Sequence, residues 1–204
     1  ISAKITGNMS VNYGQYRLSD DVADVPLDLI TYHFPDALLQ DSGEQAGEHV
    51  LDGELTVVGN TSIYSGQIVR VKAGSHLTVK AGKTLTVNTN AQLIIEDGAQ
   101  VSFEAGAKIA VSGTWDVGSN AVINLADSAN VNLAASGNWN LAAGAQVLAA
   151  TNVQLNVYGT LHAEGSEDNL VYFGSSLETP EKDSWHGIKA YANSTVTLRH
   201  TQIS

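Results

Sequence analysis

The sequence predicts an all-β protein, a right-handed parallel β-helix built as a three-sided solenoid with about one short strand per eight-residue unit and an N-terminal cap. Three observations carry this expectation. From Ile68 the chain repeats in units of eight, the second and fourth places of each unit are apolar, and the sixth to eighth places are small or turn-forming. A fixed internal period of this kind is the mark of a stacked-repeat architecture.

The units run IVRVKAGS, HLTVKAGK, TLTVNTNA, QLIIEDGA, QVSFEAGA and KIAVSGTW. A shorter step, DVGSNA, intervenes, and the frame resumes as VINLADSA, NVNLAASG, NWNLAAGA, QVLAATNV and QLNVYGTL. The apolar pairs include Val69 and Val71, Leu77 and Val79, Leu93 and Ile95, Val101 and Phe103, and Trp139 and Leu141. Alternation has the period of a strand, in which neighbouring side chains leave on opposite faces. A helix is excluded, because apolar residues two apart would point to different sides of it. Pairs such as Ala73-Gly74, Ala105-Gly106 and Ala143-Gly144 supply the corners.

One such strand cannot bury its apolar face alone, and stacking many about an axis buries a continuous core. Three units per coil close a triangular section, each strand pairing in parallel with the next coil at about 4.8 Å. That closure places Lys72 over Glu96, Lys80 over Glu104 and Asn132 over Asn156.

Residues 1–59 depart from the frame and are expected to be the cap, or a small capping subdomain. They hold a run of acids from Asp20 to Glu54, two prolines (Pro26 and Pro35), and apolar candidates for covering the core: Leu27, Leu29, Ile30, Tyr32, Phe34, Leu38 and Leu39. Residues 60–204 are expected to form the β-helix, which is expected to continue beyond Ser204.

Composition narrows the function classes. The net charge is −11, from 21 Asp and Glu against 10 Lys and Arg. That balance argues against nucleic acid, whose phosphates require clustered cations, and against an anionic membrane surface. No apolar run reaches the length of a membrane span. With no cysteine, neither a disulfide nor a thiolate metal site is available. Together with the repeats, this points to an exported bacterial chain.

After Tyr158 the pattern changes. Gly159-Thr160-Leu161-His162-Ala163-Glu164-Gly165 leads to Asn169-Leu170-Val171-Tyr172-Phe173, a polar loop from Ser175 to Ser184, Trp185-His186-Gly187-Ile188, and Ser194 to Ile203. This order resembles the right-handed parallel β-helix proteins of bacterial surfaces, of the pectate-lyase-like superfold. The motif likeness covers Gly159 to Ser204; over the eight-residue units it is one of architecture. The sequence departs from the pattern at Leu170, where such proteins often carry Pro, and at His186 inside the Trp-Gly pair. The resemblance implies an extracellular, adhesin-type surface protein, and it transfers no catalytic residue.

A search for chemistry ends on binding. Polysaccharide lyases and hydrolases of this architecture need acids on successive coils of one face, often with a basic partner. Most of Glu96, Asp97, Glu104, Asp116 and Asp127 are expected at corners or in opposite-charge stacks, and Arg70 and Arg199 are expected far apart in the repeat, with no acid cluster beside either. His33, His49, His76, His162, His186 and His200 have no zinc spacing and are expected on the surface or in loops. No resident cofactor is expected, although Asp20, Asp21 and Asp24, or Glu164, Glu167 and Asp168, are candidate calcium ligands outside any EF-hand pattern. Trp115, Trp139, Trp185, Tyr158, Tyr172 and Tyr191 are candidate stacking platforms for sugar, with Trp139 placed inward by the frame. The expectation is a non-catalytic structural or adhesive solenoid that meets a glycan or protein at the cell surface. The alternative is a fragment of a polysaccharide-active enzyme whose catalytic coils lie elsewhere.

Overall fold

The computed structural model describes residues 32–34, 47–179 and 184–204. The strands are β1 (Tyr32–Phe34), β2 (Gly47–Leu51), β3 (Glu54–Val57), β4 (Thr61–Ile63), β5 (Gln67–Val71), β6 (His76–Val79) and β7 (Thr84–Val87). There follow β8 (Gln92–Ile95), β9 (Gln100–Phe103), β10 (Lys108–Val111), β11 (Thr114–Val117), β12 (Val122–Leu125), β13 (Asn130–Leu133) and β14 (Asn138–Leu141). The last are β15 (Gln146–Ala149), β16 (Gln154–Val157), β17 (Thr160–Glu164), β18 (Val171–Ser175), β19 (Ile188–Ala190), β20 (Thr195–Arg199) and β21 (Thr201–Ile203).

From β2 onward every third strand pairs, in parallel, into one of three sheets, and β1 pairs with β3. The first sheet is β1-β3-β6-β9-β12-β15-β18-β21, the second β2-β5-β8-β11-β14-β17-β20, and the third β4-β7-β10-β13-β16-β19. The chain is therefore the all-β, three-sided solenoid that the alternation predicts. Strands β1, β2 and β3 of the stretch before residue 60 already pair into the first two sheets. The cap expected over the rest of residues 1–59 lies outside the described residues.

Inward residues fill a dry interior. Val69, Leu93, Trp115, Trp139 and Leu161 stack in one ladder, at steps alternating between 24 and 22 residues. Trp115 and Trp139 lie 4.5 Å apart with ring planes 4° from parallel, and Phe103 and Phe173 meet them edge-on at 6.4 and 6.1 Å. All four rings are buried. Both indole N–H groups lack a hydrogen-bond acceptor among the described residues, a cost of about 1–3 kcal/mol each that large aromatic burial offsets.

The alternating step corrects the frame. The short unit is Lys108 to Gly113, not DVGSNA, and Thr114–Val117 is a full strand with Trp115 and Val117 inward. Asp116 therefore stands outward in mid-strand rather than at a corner, and Trp115 is core rather than a sugar platform. A second short unit ends at Gly159. These corners between the third and second sheets take glycine because a Cβ on Gly113 would lie 2.3 Å from the carbonyl oxygens of Asn88 and Ala91. The other corners place a left-handed residue at a fixed spot. Gly74, Gly82, Gly98 and Gly106 hold it in some coils, while Asn90, Asn120, Asn152 and Ser128 hold it in others. Asn tolerates that conformation better than most side chains.

Carboxylates tie coil to coil at the corners. Lys80 Nζ meets Glu104 at 2.7 Å, as the stacking requires, and Glu104 also accepts from the Ala81 amide at 3.0 Å. Glu96 accepts from the Ala73 amide at 2.9 Å, Asp97 from Ser119 at 2.8 Å and Asp127 from Thr151 at 3.2 Å. Lys72 does stand next to Glu96 in the column, but its ammonium bonds Asp52 of the coil on the other side, at 2.8 Å. Asn132 and Asn156 are register partners, while the Asn156 carbonyl oxygen accepts from the Tyr191 hydroxyl at 3.1 Å.

The Lys80 hydrogen bond foremost, then the Ala81 amide, hold the Glu104 carboxyl below its ordinary value of 4.5. A depressed carboxyl contributes stability above that ordinary value and loses it as pH falls through the lowered one. Thermal melts are therefore expected to fall as the medium is acidified below about pH 4.5. Glu104→Gln, which keeps an oxygen for the Ala81 amide, is expected to flatten that acid limb slightly, the pair being exposed. An unchanged slope would remove Glu104 from the acid response.

Candidate functional site

The outward side chains of the second sheet form a column of mixed chemistry: Arg70, Ile94, Asp116, Asn140 and His162, on β5, β8, β11, β14 and β17. Beside it, the residues that follow these strands are Lys72, Glu96, Gly118, Ala142 and, at the end of β17, Glu164. Gly118 and Ala142 are small where the coils on either side carry glutamates, so the surface is hollowed between Glu96 and Glu164. The result is an open groove of about 750 Å³ along the coil-stacking direction.

Local structure explains the hollow. Gly118 is required because a Cβ there would lie 2.5 Å from Asp97 Oδ1, which turns over the corner to accept from the Ser119 amide. Asp116 accepts from Gln92 Nε2 at 2.6 Å and from Asn140 Nδ2 at 2.7 Å. The two amide donors take one carboxylate oxygen each. Arg70 bridges Glu48 and Glu96, the latter at 3.6 Å. At the far end Glu164 takes a 2.9 Å hydrogen bond from His162 and lies 3.8 Å from Arg199. The His162 bond first, with Arg199 and His200 adding, holds the Glu164 carboxyl below its ordinary value.

Several expected placements are corrected here. Arg70 and Arg199 both have carboxylate partners, and both belong to the second sheet. Glu96, Asp97 and Asp116, expected as solvated structural acids, and Glu164, expected as a calcium candidate, share one groove. Its acids are held by amides, an imidazole and guanidinium groups, so the groove offers oriented acceptors and donors.

Among the described residues no group of three or more His, Asp or Glu side chains gathers closely enough to hold a metal ion. Glu164, Glu167 and Asp168 are therefore not a calcium cluster in this structure. Asp20, Asp21 and Asp24 lie outside the described residues.

The aromatic candidates divide. Trp115 and Trp139 are core. Trp185 packs against the core and donates from Nε1 to the Ser204 carbonyl at 3.0 Å, while the Tyr172 hydroxyl bonds the Ser204 hydroxyl at 2.7 Å. Tyr158 and Tyr191 stack on each other at 4.0 Å on the third sheet, with Lys189 Nζ 4.9 Å from the Tyr191 ring. None of these aromatic side chains lines the groove.

Sequence reasoning missed Gln92 and Asn140 as the partners of Asp116. The available signal was Ser112-Gly113, a corner dipeptide from which the frame restarts as Thr114-Trp115-Asp116-Val117. No protein-family model, no curated protein and no solved structure matches this chain.

Proposed function

We propose that the protein is a rigid extracellular scaffold of a bacterial surface protein, and that the groove of its second sheet holds a glycan without cleaving its glycosidic bonds. The observation that carries this reading is the groove between Glu96 and Glu164. Its carboxylate, amide, imidazole and guanidinium groups are pre-positioned on paired strands, and a polyol needs oriented donors and acceptors of that kind. Building a site on strands rather than loops limits the ordering cost of binding. The likeness of Gly159 to Ser204 to bacterial surface β-helices supports the location.

Asp116 is the group best placed to accept from sugar hydroxyls, with Asn140 beside it. Gln92 and Asn140 hold its two carboxylate oxygens in place by hydrogen bonds of 2.6 and 2.7 Å.

A glycan array followed by titration tests the reading. Retention of at least one oligosaccharide is expected, with no new reducing ends or unsaturated products. Ala142→Trp should fill the hollow and raise Kd about tenfold or more, a change of about 1.4 kcal/mol, while melting is unchanged. Unaltered binding in that variant would move the site elsewhere, and release of fragments by the unsubstituted protein would replace the scaffold reading with the enzyme alternative.

A further inference from the structure

The first sheet carries a second constellation, on a different side of the solenoid from the groove. Glu54 and His76 open β3 and β6 as register partners. His76 in turn pairs with Gln100, which opens β9, and Ser102 lies two residues further along that strand on the same outward face. The His76 ring reaches diagonally across, so that its Nε2 lies 2.7 Å from Ser102 Oγ. Its other nitrogen, Nδ1, lies 3.6 Å from Glu54 Oε2. This is the order hydroxyl, imidazole, carboxylate, in which a base contacts the nucleophile and a third group orients the base.

We propose that Ser102 and His76, positioned by Glu54, form an acyl-transfer centre for small carboxylic esters, an activity beyond the scaffold reading. With the imidazole proton on Nδ1 facing Glu54, Nε2 accepts the Ser102 hydroxyl proton as Oγ attacks the ester carbonyl. The tetrahedral intermediate collapses as the C–O bond to the alcohol breaks, and His76 returns the proton to the departing alkoxide. Water then attacks the acyl-Ser102 carbonyl, again giving its proton to His76, and the acid leaves with the Ser102 hydroxyl restored. The sum is ester plus water giving acid plus alcohol.

The face also holds groups for the oxyanion. Asn124 is the register partner of Ser102 in the next coil, and Gln100 precedes it on the same face. Neither side-chain amide makes a hydrogen bond among the described residues, so either N–H₂ is available to the carbonyl oxygen. The Glu54 contact is longer than a hydrogen bond, as such contacts often are before substrate binds. Esters rather than amides fit the exposure. The His76 and Glu54 side chains are 30% and 67% exposed, so water competes for every charge, and an ester alkoxide leaves more readily than an amide nitrogen.

The test uses the full chain, a fluorophosphonate label and p-nitrophenyl acetate. Covalent labelling at Ser102, located by peptide mass, and a burst of p-nitrophenol are expected. Ser102→Ala should lose both. His76→Ala should lower turnover by about 10²-fold, and Glu54→Gln should lower kcat with KM unchanged. All three positions are on the surface, and a circular dichroism melt of each variant checks that the stack is intact. Hydrolysis that persists in Ser102→Ala would mean that His76 reacts alone, and would overturn the proposal. So would an absence of label on Ser102 in the unsubstituted protein.

Discussion

Leu93→Asp is expected to abolish folding. Leu93 is buried with no solvent exposure, and Val69 and Trp115 are its register partners above and below. Removing the leucine volume alone costs about 2–5 kcal/mol. The carboxylate adds several kcal/mol more, because the ladder contains nothing to pair with it. A domain's whole stability is about 5–15 kcal/mol, so the sum consumes most or all of it. Two companions make the measurement specific. Leu93→Met nearly conserves volume and should cost less than about 1.5 kcal/mol. Ile94→Asn, one residue along the same strand but facing the groove, should change stability by about 0.5 kcal/mol or less. A cooperative melt in Leu93→Asp close to that of Ile94→Asn would contradict the inward-outward parity of the whole stack.

Gly113→Asn is expected to be the second most damaging change, by a different mechanism. The new Cβ would lie 2.3 Å from two backbone oxygens, of Asn88 and Ala91, in the coil below. Neither can swing aside as a side-chain tip would, since the Asn88 and Ala91 carbonyls are themselves bonded to the Ala91 and Thr114 amides. The third and second sheets would have to part at that corner. Forced overpacking costs about 1–3 kcal/mol and here also strains backbone hydrogen bonds. For a chain of this size that corresponds to a fall in Tm of about 2–12 °C. Gly106→Asn is the control. It has open space around its Cβ position and φ of 67°, and Asn already occupies the equivalent corner spot at Asn90, Asn120 and Asn152 with φ of 58–61°. That variant should melt close to the parent. Equal loss in both would show that close approach at Gly113 adds nothing to the cost of replacing a corner glycine.

Much of this architecture was legible because it rests on a rule of period two. Wherever an apolar-polar-apolar run is bounded by Gly, Asn or Ala, sterics alone sort its side chains inward and outward, and repetition makes that sorting visible. Leu77, Val79, Leu93, Phe103 and Trp139 are all buried as the alternation requires. Trp115 was misplaced because a two-residue corner differs from a four-residue corner only in length, and the eight-residue frame was carried through Ser112-Gly113 without a break. A shift of two residues preserves parity, so the error left the rest of the core in place and lost only Trp115, Asp116 and Val117. The same blindness applied to Lys72. Register put Glu96 beside it, but a long flexible cation chooses between coils on either side, and Asp52 holds it.

The amino-acid sequence by itself determined the alternation, its parity and the number of units per coil, because those follow from local sterics and from the need to bury one face of every strand. The groove and the hydroxyl-imidazole-carboxylate line were decided only by tertiary structure. Gln92 and Asn140 each stand 24 residues from Asp116 in the chain, and His76 and Ser102 are 26 apart. They meet because winding converts a coil of chain into a step of about 4.8 Å, and alternating coil length sets which residues share a column. Function on a solenoid face is thus a property of columns, which a linear reading recovers only when every corner has been measured correctly.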